Sequence, residues 1–418
     1  MHSPWRVLLP LSTAAALSLL GDAALYSVLP SHTTAAGVTL GSVGLILGSN
    51  RLVRIFLNSP VGALYDRVGR RRPFIIAMGL GVVSTATYAL TQGFWPLFMA
   101  RLTWGIAWAL IIVGSYNILL DISTPADRGR ITGVYHALTF MGGAAGMLLG
   151  GFLTDLLDYR TTFLLCAAGT GLGMLVALAF LPETGRPRSI SNPTTANNSV
   201  SYLRDGQLLN MSYVSFANMF VGNGVLMSTI GLLLKECFAD PAHLGPLVLG
   251  VASLTGIFLS SRTLLAIVFN LLSGYGSDRL GRRGPIALAG LLILLAGFLL
   301  LVWRADTWVV VLGFVLAAIG GGVVSTTLTA LVGDLVVGER QGMAIGLFTT
   351  AGDIGAASGP MVGYFIAARW DLVWTYLTCV LFIGSACVVL ARLKIQQPSG
   401  AANSLLDMFE SQITRMTE

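Results

Sequence analysis

The chain has 418 residues, 55% of them hydrophobic and only 11% charged, with a mean hydropathy of +0.78. Soluble domains carry about 25% charged residues, so the composition excludes a water-soluble globular protein and leaves no room for a separate soluble catalytic domain. The net charge of +6 resides almost wholly in Arg residues set in short bursts between apolar runs, which reports membrane topology and excludes a nucleic-acid partner.

In chain order, apolar runs fall at 7–30, 41–65, 74–92, 95–120, 131–154 and 161–181, and again at 211–234, 246–275, 285–303, 308–333, 343–367 and 372–392. A helix needs roughly 20 apolar residues to cross the hydrocarbon layer. The prediction is therefore an all-α integral membrane protein with twelve transmembrane helices in two six-helix bundles, 1–184 and 211–394. The first run is too long for a cleavable leader and reads as a span. The intervening stretch 185–210 is rich in Ser, Thr, Asn and Pro and reads as a linker, and 395–418 as a polar tail. Seventeen of the 25 Lys and Arg residues fall in loops of one parity and four in the other. The excess of positive charge puts both termini and the linker in the cytoplasm.

The two sets of runs repeat one another. GALYDRVGRRRP, Gly62 to Pro73, recurs as GYGSDRLGRRGP, Gly274 to Pro285, and 274 − 62 = 212. Gly142, Gly146 and Gly150 recur as Gly355, Gly359 and Gly363, one residue further on. Duplicated halves around a central site are a common plan for secondary transporters.

With these motifs the chain resembles the major facilitator superfamily over essentially its whole length. Gly62, Leu64, Asp66, Arg67, Gly69, Arg70 and Arg71 match the loop motif of that family, and Asp278, Arg279 and Arg282 stand in its second copy. The resemblance implies two pseudo-symmetric bundles, alternating access at a midplane site and a conformational latch at this loop. A plain positive-inside anchor is the competing reading for Arg71, Arg72 and Arg283. Arg101-Leu-Thr-Trp-Gly105 and Gly21-Asp22 resemble elements of proton-coupled drug antiporters. The Gly-Pro expected after Gly146 is absent and appears instead as Gly359-Pro360.

A charge near the bilayer centre costs roughly 2.5–3.5 kcal/mol on insertion scales, so each must face a cavity or a partner. Asp22 lies about 12 Å and Arg101 about 9 Å from the same surface, at 1.5 Å per residue. The two are candidates for proton coupling, with a static pair between them as the alternative. Arg51 and Arg54 lie about 12 to 17 Å above Gly62 by the same rise. Asp353, whose repeat position is Phe140, is a third proton-coupling candidate. It pairs with Arg54 or Arg51 across the halves, or with Arg262 inside its own half, or lies in a watery cavity. Tyr26, Trp104, Trp108 and Tyr116 form an aromatic wall for a flat or lipophilic compound, or serve as packing, and Asn223 is the neutral repeat partner of Asp22. His136 reads as a hydrogen-bonded residue near the interface or a proton relay.

No phosphate-binding, zinc-protease or serine-hydrolase motif occurs, and Cys166, Cys237, Cys379 and Cys387 lack metal-ligand spacing. No cofactor, metal or enzymatic activity is expected. The expectation is a monomeric exporter of a small organic compound, proton-coupled, in a bacterial inner membrane, with protons and membrane lipid as its other partners. A symporter or facilitator for uptake is the alternative within transport. A transport-dead receptor or lipid-handling scaffold is the alternative of another class.

Overall fold

The computed structural model describes residues 4–124, 127–184, 206–238, 242–244, 247–280, 283–335 and 341–393. Among them run twelve long helices. The first six are α1 (Pro4–Val28), α2 (Leu40–Val68), α3 (Arg71–Leu90), α4 (Phe94–Ile122), α5 (Arg128–Leu156) and α6 (Tyr159–Phe180). The second six are α7 (Gly206–Cys237), α8 (Val251–Leu280), α9 (Arg283–Trp303), α10 (Thr307–Leu335), α11 (Gln341–Arg369) and α12 (Leu372–Arg392). In lipid every backbone polar group must be satisfied within the segment, which only helices and closed barrels achieve. Eleven of these helices are long and apolar enough to span a membrane. The other, α11, has 29 residues, and its glycines, threonines and Asp353 dilute its hydropathy.

Two boundaries differ from expectation. α7 begins at Gly206, inside the stretch read as linker, and α8 begins at Val251 instead of 246. Ahead of α8 lies an antiparallel ribbon, β1 (Ala242–Leu244) with β2 (Leu247–Leu249), pairing Ala242 with Leu249. The Gly-Pro pair at 245–246 is a turn signal, which the apolar count alone overrode. Residues 185–205, the tail from 394 onward and Arg282 lie outside the described residues, as do the side chains of Asp66 and Asp278.

The duplicated sequence builds duplicated local structure. Asp158 caps α6 by accepting from Thr161 N at 2.9 Å, and Asp371 caps α12 by accepting from Val373 N at 3.2 Å. Gly142, Gly146 and Gly150 press α5 onto Ala16, Leu20 and Ala24 of α1, while Gly355 and Gly359 press α11 onto Phe216 and Gly224 of α7. A Cβ at any of these glycines would overlap its neighbour, and small residues are what allow helix backbones to approach closely in lipid. α7 carries a π-helical turn, Phe220–Leu226, the kind of irregularity that recurs at functional sites.

The halves meet along two seams, α2 against α11 and α5 against α8. Both seams are closed at one end. Gly41, Gly44 and Gly48 face Ala368, Pro360 and Ala357, and Gly256 faces Met147. Ser253 N donates to Asp155 Oδ2 at 2.6 Å, and Ser260 Oγ donates to Ala144 O at 2.7 Å. Exposed tryptophans Trp95, Trp303, Trp308, Trp370 and Trp374 cluster at helix ends on this closed side, as an aromatic belt at a membrane surface does. At the opposite end Gly62, Gly133 and Gly276 have open space where a Cβ would stand.

Candidate functional site

Between the halves, at mid-depth, lies a cavity of about 310 Å³ lined by side chains from both. Asp22, Tyr26, Arg51, Arg54, Trp104, Trp108 and Asn223 all line it, as do Asn50, Arg262 and Asn270. Tyr116 does not appear in that lining. Its hydroxyl meets His136 Nε2 at 3.4 Å, and the His136 ring stacks on Phe140 at 5.6 Å.

Asp22 and Arg101 form an ion pair through Asp22 Oδ1 and Arg101 Nη1. The Arg101 side chain is fully buried, whereas Asp22 retains 15% exposure toward the cavity. The guanidinium also donates to Ile46 O at 3.2 Å, Leu47 O at 3.1 Å and the Tyr26 hydroxyl at 3.3 Å. Its position follows from the sequence around it. Gly105 lets α4 approach the α2 backbone at Asn50, bringing Arg101 within reach of the carbonyls one turn earlier on α2. Gly21 likewise lets α1 press against Thr85 of α3, and Asn50 Nδ2 reaches Asp22 Oδ1 at 3.5 Å.

Arg54, the middle residue of α2, stands 3.9 Å from Asp353 Oδ1 on α11, which is the cross-half pairing among the alternatives for Asp353. Arg262 takes a different partner, donating from Nη2 to Asn223 Oδ1 at 2.8 Å, and Asn223 lies on the π turn of α7. Arg51 makes no hydrogen bond or ion pair with the described residues, yet lies within electrostatic reach of Arg54 and Arg262. The two indoles at the cavity wall, Trp104 and Trp108, stack with centroids 6.0 Å apart and an interplanar angle of 22°.

The loop motif is anchored beyond its own residues. Arg70 is buried, and its Nε donates to Asp121 Oδ2 at 3.1 Å while Nη1 donates to Tyr65 O at 2.7 Å. The Glu183 carboxylate accepts from the backbone N–H groups of Arg70 at 2.6 Å and Arg71 at 3.1 Å, occupying donors that the start of α3 leaves free. Arg71 Nη2 donates to Leu178 O at 2.6 Å. Arg67 and Arg279 are exposed, as an anchor at a charged surface would be, and Gly69 takes a positive φ of 93° that ends α2. In the second half Arg283 pairs with Asp334 at 2.9 Å. Asp121 and Glu183 escaped the sequence reading. A signal for Asp121 was present, since 334 − 121 = 213 repeats the spacing of the glycine ladders.

A family model described as the Major Facilitator Superfamily matches residues 11–263 and 249–407. The class E tetracycline resistance protein of Escherichia coli is 28% identical over 364 residues, covering 85% of each chain. The quinolone resistance protein NorA of Staphylococcus aureus is 23% identical, with 83% of this chain and 86% of NorA covered. The crystal structure of a bacterial homologue of the human lysosomal transporter Spinster, inward-facing and occupied, superposes with a TM-score of 0.76 at 17% identity. It covers 94% of this chain and 97% of the other.

Proposed function

The chain belongs to the major facilitator superfamily of membrane transporters, and from that premise we propose that it exports a small organic compound in exchange for protons, with Asp22 as the proton carrier. The observation that carries this reading is the placement of Asp22: it faces the cavity while Arg101, the arginine it forms an ion pair with, is buried behind it. A proton arriving at Asp22 removes the attraction that holds the pair, so protonation and separation of α1 from α4 go together, and the cavity reports its protonation to the helix packing. Resistance proteins among the relatives favour export over uptake.

The topology belongs to the same proposal. Both termini are cytoplasmic, so the closed, Trp-rich end faces outward and the structure is the inward-open state of a monomer in a bacterial inner membrane. Asp353 with Arg54 ties α11 to α2 across the cavity, and the Arg70 loop with Asp121 and Glu183 sets the balance between states. A proton entering down 100 mV and one pH unit releases roughly 3.7 kcal/mol, enough for a several-hundred-fold gradient of a neutral solute.

The test uses purified protein in liposomes with an imposed pH gradient and tetracycline or a quinolone as first solutes. Wild type should accumulate solute against its gradient and consume the pH gradient as it does so. Asp22→Asn should abolish accumulation and leave downhill exchange intact. An Asp22→Asn protein that still concentrates solute would remove Asp22 from the coupling.

A further inference from the structure

The cavity carries more positive charge than its own carboxylates balance. Three arginines line it, Arg51, Arg54 and Arg262, against one acid, Asp22. Asp22 is already matched by Arg101, and Arg54 shares Asp353. That leaves Arg51 and Arg262 without a carboxylate among the described residues, and the only hydrogen-bond partner of the Arg262 side chain is the neutral amide oxygen of Asn223. The Nε atoms of Arg54 and Arg262 are buried with no acceptor among the described residues. Guanidinium groups stay charged at every physiological pH, so no proton loss can relieve this excess, and an arginine inside a membrane protein marks a pathway for what neutralises it.

We infer that the transported compound is an amphipathic organic anion, its carboxylate held among Arg51, Arg54 and Arg262 and its apolar body against Trp108. This assignment rests on the transport reading above and names its substrate class. The chemistry fits on both sides. A carboxylate accepts two N–H bonds from a guanidinium fork, which are shorter and stronger than bonds to a neutral acceptor. Trp108, part-exposed and stacked on the fully buried Trp104, supplies a flat apolar wall. The arginines come from both halves, Arg51 and Arg54 from α2 and Arg262 from α8, so a bound anion bridges the two bundles and lowers the repulsion that Arg51 exerts on Arg54 and Arg262.

The test is a matched series in which one scaffold carries three head groups: indole-3-acetate, indole-3-acetamide and tryptamine, with a second set on naphthalene. Binding to the purified full-length protein is measured by calorimetry, and flux in proteoliposomes by radiolabel. The carboxylate should bind about tenfold more tightly than the amide, as a charge-assisted contact replaces a neutral one, and the amine should bind least. Arg51→Gln, which loses no hydrogen bond to the described residues, should erase most of that preference. Arg262→Gln should do the same. Equal binding of the three head groups, preference for the amine, binding of none of them, or a preference that survives Arg51→Gln would each overturn the assignment. The two readings separate cleanly. A protein that prefers tryptamine and exchanges it for protons is a transporter of another substrate class. One that binds indole-3-acetate selectively without moving it keeps the anion site and loses the transport reading.

Discussion

Asp22→Asn tests the Asp22–Arg101 pair through stability as well as transport. The substitution keeps the shape and one oxygen acceptor of Asp22 and removes only its charge. Arg101 has no exposure to water and would keep three neutral acceptors, on Ile46, Leu47 and Tyr26. Removing one partner of a buried ion pair costs about 3–5 kcal/mol. The surviving acceptors and the partial exposure of Asp22 place the expected loss at the lower end, about 3 kcal/mol. For a cooperative unit of the size of one six-helix half, each kcal/mol shifts Tm by roughly 2–4 °C, so Tm should fall by about 6–12 °C. Intrinsic-fluorescence melting of the detergent-solubilised protein reads this directly. Arg101→Gln should cost less, because cavity water and Asn50 can still serve Asp22. The double variant should lose less than the two single losses added together, since the pair is already gone. A Tm for Asp22→Asn close to that of wild type would refute the claim that the charge of Asp22 holds Arg101 in place.

The closed seam makes a geometric prediction: a Cβ at Gly41 would lie 3.7 Å from that of Ala368, within the 3.5–4.5 Å range a disulfide spans. Gly41→Cys with Ala368→Cys should therefore cross-link under mild oxidation and stop transport until reduced, and a failure to cross-link would mean that this seam is not closed in the membrane. Arg54 and Asp353 are 3.9 Å apart and 20% and 30% exposed, which limits their pair to about 1 kcal/mol. Asp353→Asn should thus slow that cross-link by no more than about fivefold, and complete loss would show that Asp353 does more than pair. Hydrogen bonds from the Thr161 hydroxyl and N–H hold the Asp158 carboxyl below the usual carboxylate range. Its folded value is depressed, so its contribution to stability is present above the unfolded value of about 3.9 and fades as pH falls through the folded one. Asp158→Ala should lower Tm at pH 7, and the difference from wild type should vanish in strong acid; a deficit unchanged at low pH would remove the cap as its cause. For topology, Ser199→Cys should resist an impermeant thiol reagent added outside intact cells, and rapid labelling would reverse the orientation.

The twelve spans, the two halves and the depth match of Asp22 with Arg101 were legible in the sequence, because lipid thickness fixes how long an apolar run must be and rise per residue converts position into depth. The same arithmetic carried Arg51 and Arg54 close to mid-depth, and the broken repeat at Phe140 singled out Asp353. Which neighbour each charge meets was decided by tertiary packing. Asp353 turned to Arg54 and away from Arg262 because α11 lies along α2, while the π turn of α7 carries the Asn223 that Arg262 reaches. Asn50 and Asn270 line the cavity unannounced, although an amide inside a span is a signal of the same kind as a charge. Tyr116 sits at helical spacing from Trp108, yet it reaches His136 instead of the cavity. Spacing along one helix gives a residue its height and its angle around that helix, but the rotation of the helix against its neighbours is set by glycine contacts between chain segments far apart in sequence. Those contacts exist only once the helices have assembled, within each bundle and along the seams between the bundles.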